Sequence, residues 1–427
     1  MFLVTFYFLL FLETKASPQE IEIEEESYWG SIFEPVEEGY WGSIYEREFK
    51  IEKRIPFQFS LDLKEEYDDN IFSTEENQSR DIITTIAPGI RINLRGLRHV
   101  VTFDYQLKVT RYNDIDPASG IDLKKLDYIG HNMSLWAKRM ITDRFKIGIE
   151  DRFLLSRRPT DMFLATNRIS AAKFWRNWVS PYLEYQLSER TGLKLRFQFD
   201  ALRYREFFTL SDEDTEAFSG YFSFGYEKNE KTQLFFDYRI LSRDYYWSPG
   251  YQANQFLLGF RRLFNPIFRG EFASGYQERR FDREIKGEVE DISEIIGLIR
   301  IIGETKKSQA ELYYFHYPAD LSEGGNYYIV DRVSLEIFYF PTSKFKLAAS
   351  IFQERIKYDQ GRGFTESGRL EKRKEDLLGG EFLIEFSATK WLTLSLGYTR
   401  IERDSNLRDG DYRDNRLFFS VKGTINL

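Results

Sequence analysis

From Ile55 to its last residue the chain alternates apolar and polar side chains with period two, and no other property restricts its fold as much. The run Val179–Asp200 shows the unit. Val179, Pro181, Leu183, Tyr185 and Leu187 fall on one face, with Ser180, Tyr182, Glu184 and Gln186 on the other. A second arm sets Leu193, Leu195, Phe197 and Phe199 against Lys194, Arg196, Gln198 and Asp200. Strand side chains point to opposite faces in turn, so each arm is a strand with one apolar and one polar side. Ser188 to Gly192 between them reads as a tight hairpin turn.

The unit recurs. Ile55, Phe57, Phe59, Leu61 and Leu63 oppose Gln58, Ser60, Asp62 and Lys64, and similar arms follow to Leu417, Phe419, Val421, Ile425 and Leu427. Connections alternate between brief turns, such as Arg95–Leu97 and Ile141–Arg144, and longer loops, such as Asp68–Asp81 and Gln360–Glu375. Short turns on one rim and long loops on the other characterise transmembrane barrels, and the arms number about eighteen, or about sixteen if two are miscounted. The expected fold is all-β: a closed antiparallel transmembrane β-barrel.

Composition separates this reading from a soluble sheet. Aromatic residues make up 17% of the 427-residue chain, yet 30% is charged. A soluble two-layer sandwich would have to bury all the Phe and Tyr rows, whereas a wall between lipid and water needs one apolar and one polar face on every strand. The mean hydropathy of −0.48 fits such a wall, because half of each strand is polar. An open sheet of this size would leave two unpaired edges, and in lipid only closure satisfies every backbone group.

Phe2 to Leu12 is apolar but shorter than the roughly 20 residues that a spanning helix needs. With Thr14-Lys15-Ala16 before Ser17, residues 1–16 read as a signal peptide, although no basic residue precedes the apolar run. Residues 17–50 form an acidic extension in which Tyr28-Trp29-Gly30-Ser31 returns as Tyr40-Trp41-Gly42-Ser43. Composition suits a solvated tether; the sharper reading makes Trp29 and Trp41 aromatic anchors for a periplasmic partner. Residues 51–427 are then the barrel.

Parity assigns an inner face on which acids and bases are balanced. Its candidate lumen-lining residues are Arg91, Asp104, Lys108, Lys194, Arg196, Asp200, Arg239, Arg300 and Glu336, joined by Arg332, Glu150, Glu184 and Glu271. Such charges either pair with each other across strands or line a water-filled lumen, and both hold together. Arg157–Trp178 alternates poorly. Its Arg157, Arg158, Arg168, Lys173 and Arg176 are a candidate pore constriction, against the plainer reading of a surface loop followed by the start of a longer strand.

Other chemistries find little support. The chain has no cysteine, which removes disulfides, thiolate metal sites and cysteine nucleophiles. The net charge of −8 is spread along the chain, which counts against nucleic acid as a partner. A lipid-cleaving barrel needs a His with a Ser two residues on. His131 is followed instead by Met133, and His99 and His316 have no nucleophile in register. The expectation is no enzyme, no cofactor and no metal.

Several segments give a family resemblance: Glu65-Glu66-Tyr67-Asp68-Asp69-Asn70-Ile71-Phe72, Ile86-Ala87-Pro88-Gly89, Ser180-Pro181-Tyr182-Leu183-Glu184-Tyr185, and Gly397-Tyr398-Thr399-Arg400 with Asp404-Ser405-Asn406 and Asp411-Tyr412. Through them the chain, over about residues 50–427, resembles the outer-membrane beta-barrel porin family and its exopolysaccharide-associated branch. The resemblance implies a channel in the outer membrane of a Gram-negative bacterium and a role beside polysaccharide secretion. It supplies no catalytic residues. The expected activity is passive passage of hydrophilic solutes, with exopolysaccharide export accessory and non-conducting anchoring barrel as alternatives. The expected partners are outer-membrane lipid and lipopolysaccharide, the barrel-assembly machinery and a polysaccharide-export partner.

Overall fold

The computed structural model describes residues 57–75, 78–113, 123–157, 173–205, 214–246, 249–282, 291–320, 327–364, 369–407 and 410–427. The expected signal peptide, the acidic extension with Trp29 and Trp41, and Arg158 and Arg168 lie outside them. Eighteen strands follow in order: β1 Phe57–Asp68, β2 Asp81–Arg95, β3 His99–Tyr112, β4 Tyr128–Met140, β5 Phe145–Ser156, β6 Phe174–Ser188, β7 Thr191–Tyr204, β8 Thr215–Asn229, β9 Thr232–Tyr245, β10 Tyr251–Leu263, β11 Phe268–Phe281, β12 Ile292–Glu304, β13 Ser308–Asp320, β14 Tyr327–Thr342, β15 Phe345–Phe364, β16 Leu370–Ser387, β17 Leu392–Ser405 and β18 Tyr412–Asn426.

Each strand pairs antiparallel with its neighbours in sequence, and β1 also pairs with β18. The sheet therefore closes. The seam runs from Gln58 opposite Asn426 to Asp68 opposite Arg416, and the Leu427 amide donates to the Phe57 carbonyl at 2.9 Å. Closure rules out the soluble sandwich, and the strand number is eighteen rather than sixteen.

The apolar parity points outward and is exposed. Phe57, Phe59, Leu61 and Leu63 on β1, Phe197 and Phe199 on β7, Leu378 and Phe382 on β16, and Leu417 and Phe419 on β18 keep two fifths or more of their surface bare. An apolar surface that continues around a cylinder suits hydrocarbon and not water. Near the short-turn rim it ends in aromatics, among them the pairs Phe145–Tyr185 and Phe345–Phe386, with ring centroids 6.4 and 4.6 Å apart.

Prolines mark where the ladder fails. Pro88 pairs with Leu61 on one side, but on the other the β2–β3 ladder skips from Ile86 to Gly89. Pro181 pairs with Ile149, while the β6–β7 ladder skips from Val179 to Tyr182. Pro341 lies in the irregularity between Tyr339 and Thr342. Pro318 pairs with Ile329 of β14, and the ladder toward β12 stops at His316. A proline has no N–H for the ladder, so each one releases a single flank of its strand.

Candidate functional site: the inner wall of the barrel

The opposite parity faces the lumen, and its charges are largely paired across strands. Arg91 and Asp104 are in register on β2 and β3, with Nε 2.5 Å from Oδ1. Glu184 on β6 accepts from Lys194 at 3.1 Å and lies 3.5 Å from Lys138. Arg196 reaches Glu150 at 3.0 Å, Arg261 reaches Glu271 at 3.0 Å, and Arg332 reaches Glu354 at 3.1 Å. Arg300 donates twice to Glu311, at 2.7 and 3.0 Å. Glu336 stands opposite Glu311 in the β13–β14 register, so two carboxylates share this stretch of wall. Arg239 donates to Ser219 at 3.2 Å and covers the Tyr221 ring at 4.7 Å. Lys108 is half-buried opposite Gly130.

Of the residues singled out in Arg157–Trp178, Arg157, Lys173 and Arg176 lie at one end of the β5–β6 pair, where Ser156 stands opposite Phe174. Arg176 belongs to the wall: it lies on β6 and donates to Asp200 of β7 at 2.8 and 2.7 Å, with Arg243 a further 3.8 Å from the same carboxylate. Lys173 sits just below β6 in sequence, and Arg157 is buried directly after β5. Arg158 and Arg168 fall outside the described residues.

A repeated three-part unit organises the wall. An inward glycine faces an inward aromatic directly across the strand pair, and a cation covers that aromatic ring. Gly148 faces Tyr182, under Lys194 and Arg196; Gly259 faces Phe235, under Arg261. Gly379 faces Phe352, under Arg332; Gly397 faces Phe418, under Lys64. A Cβ at any of these four glycines would collide with the facing ring. The glycine lets the ring lie down along the wall, and the cation–π contact, worth about 0.5–2 kcal/mol, holds it there. The individual residues are readable in the sequence, but the unit depends on strand register.

Toward the long-loop rim the inner face of β13–β16 becomes apolar. Tyr313, Phe315, Tyr328, Val330, Phe352 and Ile356 form one buried cluster, with Leu298 of β12 and Tyr317 packed against it. An assignment that treats the inner face as the charged face misses this cluster. Its signal is that Tyr328 and Val330 share parity with Arg332 and Glu336.

Two other arrangements bear on chemistry. Among the described residues, Asp68, Asp69 and Asp414 are a carboxylate group compact enough for a cation. Arg416 already lies 3.4 Å from Asp68 and donates to Asp414, and Asp69 accepts from Asn415 at 2.7 and 2.8 Å. Protein donors take the charge a metal would take. His131 faces outward and shares a 2.9 Å hydrogen bond with the Tyr105 hydroxyl, while Ser134 opposes Asp104 on the inner face. The histidine and serine are thus on opposite sides of the wall.

No protein-family model and no curated protein matches the chain. Among solved structures, the outer membrane protein opdK from Pseudomonas aeruginosa is 11% identical with a TM-score of 0.45, over 86% of this chain and 99% of that one. Pseudomonas aeruginosa OccK9 (OpdG) is 10% identical with a TM-score of 0.48, over 86% and 98%. The siderophore receptor PirA from Pseudomonas aeruginosa is 8% identical with a TM-score of 0.45, over 88% and 81%.

Proposed function

We propose that the protein is an outer-membrane channel of a Gram-negative bacterium through which small hydrophilic solutes pass passively. The observation that carries this reading is the two-sidedness of a closed eighteen-stranded wall: bare Phe and Leu rows outside, cross-strand ion pairs inside. A barrel of this strand number is wide enough for an aqueous path. Because cations are matched by nearby acids, as in Arg91–Asp104 and Arg196–Glu150, discrimination between small cations and anions is weak.

Export of a polysaccharide is the second reading, and the lining argues against it. A passing glycan needs open aromatic faces, yet Tyr182, Tyr221, Phe235 and Phe352 are each covered by a cation. Lipopolysaccharide fits as a neighbour: Arg355, Lys357, Lys372 and Lys374 are exposed on the outward faces of β15 and β16, beyond the apolar rows. Basic groups there meet lipid phosphates.

Planar-bilayer recording of the full chain tests the proposal. Stepwise conductance with a small reversal potential in a KCl gradient supports it. Insertion without current refutes the channel and leaves a structural barrel.

A further inference from the structure

The ladder between β12 and β13 is the shortest in the wall. It runs from Glu304 opposite Gln309 to Gly297 opposite His316 and stops, although β12 continues to Ile292 and β13 to Asp320. Above the stop each strand keeps only its other neighbour: β12 stays on β11, and β13 on β14. Two strand edges therefore face each other unpaired. Pro318 explains this from the sequence, since it has no N–H to offer toward β12. The Arg279 guanidinium of β11 donates to the Pro318 carbonyl, which a β12 amide would otherwise meet.

The surroundings of this seam differ inside and out. On the lumen side it borders the aromatic cluster at Phe315 and Tyr317, beside the buried Ile292, Ile296 and Ala319. On the outer side stands Ile295, 68% exposed. Its foot is polar: His316 bonds Asp331 at 2.7 Å and lies 3.5 Å from Glu294 on the opposite edge. Unpaired backbone is not tolerated against hydrocarbon, so a gap with polar groups at its foot belongs at headgroup level, where water reaches it.

The geometry points to a lateral portal: small aromatic amphiphiles pass between the outer leaflet and the lumen through the β12–β13 seam, along the inner aromatic cluster. The inference rests on membrane placement and not on axial conduction, so a current-free barrel leaves it standing.

Two measurements test it on the full chain. In detergent micelles, amides 293 and 295 of β12, which face β13, exchange with deuterium at least about tenfold faster than amides 299 and 301 on the same edge, the difference one lost hydrogen bond makes. Equal protection overturns the seam. In a Gram-negative host, the chain speeds entry of N-phenyl-1-naphthylamine, and Pro318→Val, which restores the missing donor, slows it severalfold while sugar-driven swelling of proteoliposomes is unchanged. Entry no faster than in the host without the chain, or entry indifferent to Pro318→Val, overturns the portal.

Discussion

The ring of Tyr182 occupies the space that a side chain at Gly148, its directly opposed cross-strand neighbour, would fill. Lys194 and Arg196 then lie over the ring at 4.8 and 5.5 Å, so one small residue decides where two cations stand.

Gly148→Leu therefore forces the ring off the wall. The expected loss is about 1–3 kcal/mol, the cost of overpacking, read from denaturant unfolding in micelles. Conductance changes in the same variant, because Lys194 and Arg196 move with the ring.

Asp200 is almost wholly enclosed and faces Arg176 and Arg243. Asp200→Ala leaves both guanidinium groups without that carboxylate. Removing one partner of a buried pair costs about 3–5 kcal/mol, so the unfolding midpoint falls clearly. Asp200→Asn, which keeps an acceptor, loses less.

The two faces of β16 respond oppositely to charge. Phe382 points outward in the middle of the apolar row, and Phe382→Arg is expected to destabilise by about 2–4 kcal/mol. Glu381, next to it but facing inward, tolerates Arg with far less loss and shifts selectivity instead. Paired unfolding and reversal-potential measurements check both.

Arg91 and Asp104 cancel each other at the wall. Arg91→Glu adds uncompensated negative charge and moves the reversal potential toward cation preference. The swap Arg91→Asp with Asp104→Arg returns it to the wild-type value.

Period-two alternation made the strands, their number and the inner parity of Arg91, Lys194 and Arg300 readable from the sequence. It failed where the apolar-outward rule inverts. In Phe174-Trp175-Arg176-Asn177-Trp178, Phe174 and Trp178 turn inward and Asn177 outward to bond Asp151, so the start of β6 alternates poorly. The Gly148–Tyr182 unit was hidden for another reason. Its members are neighbours only in register, which no local window contains. Pro318 was visible as a letter, but its effect depends on which strand lies at its flank.

The join between β1 and β18 carries a kinetic consequence. Gln58 and Asn426, bonded side chain to side chain at 3.1 Å, are 368 positions apart. Loop-closure entropy grows slowly with separation but must be met before distant rungs contribute, and topologies dominated by remote pairing are slow to form. The cylinder thus has no self-sufficient half: until the final ribbon docks on the first, every intermediate has two raw borders, and completion is a single late event.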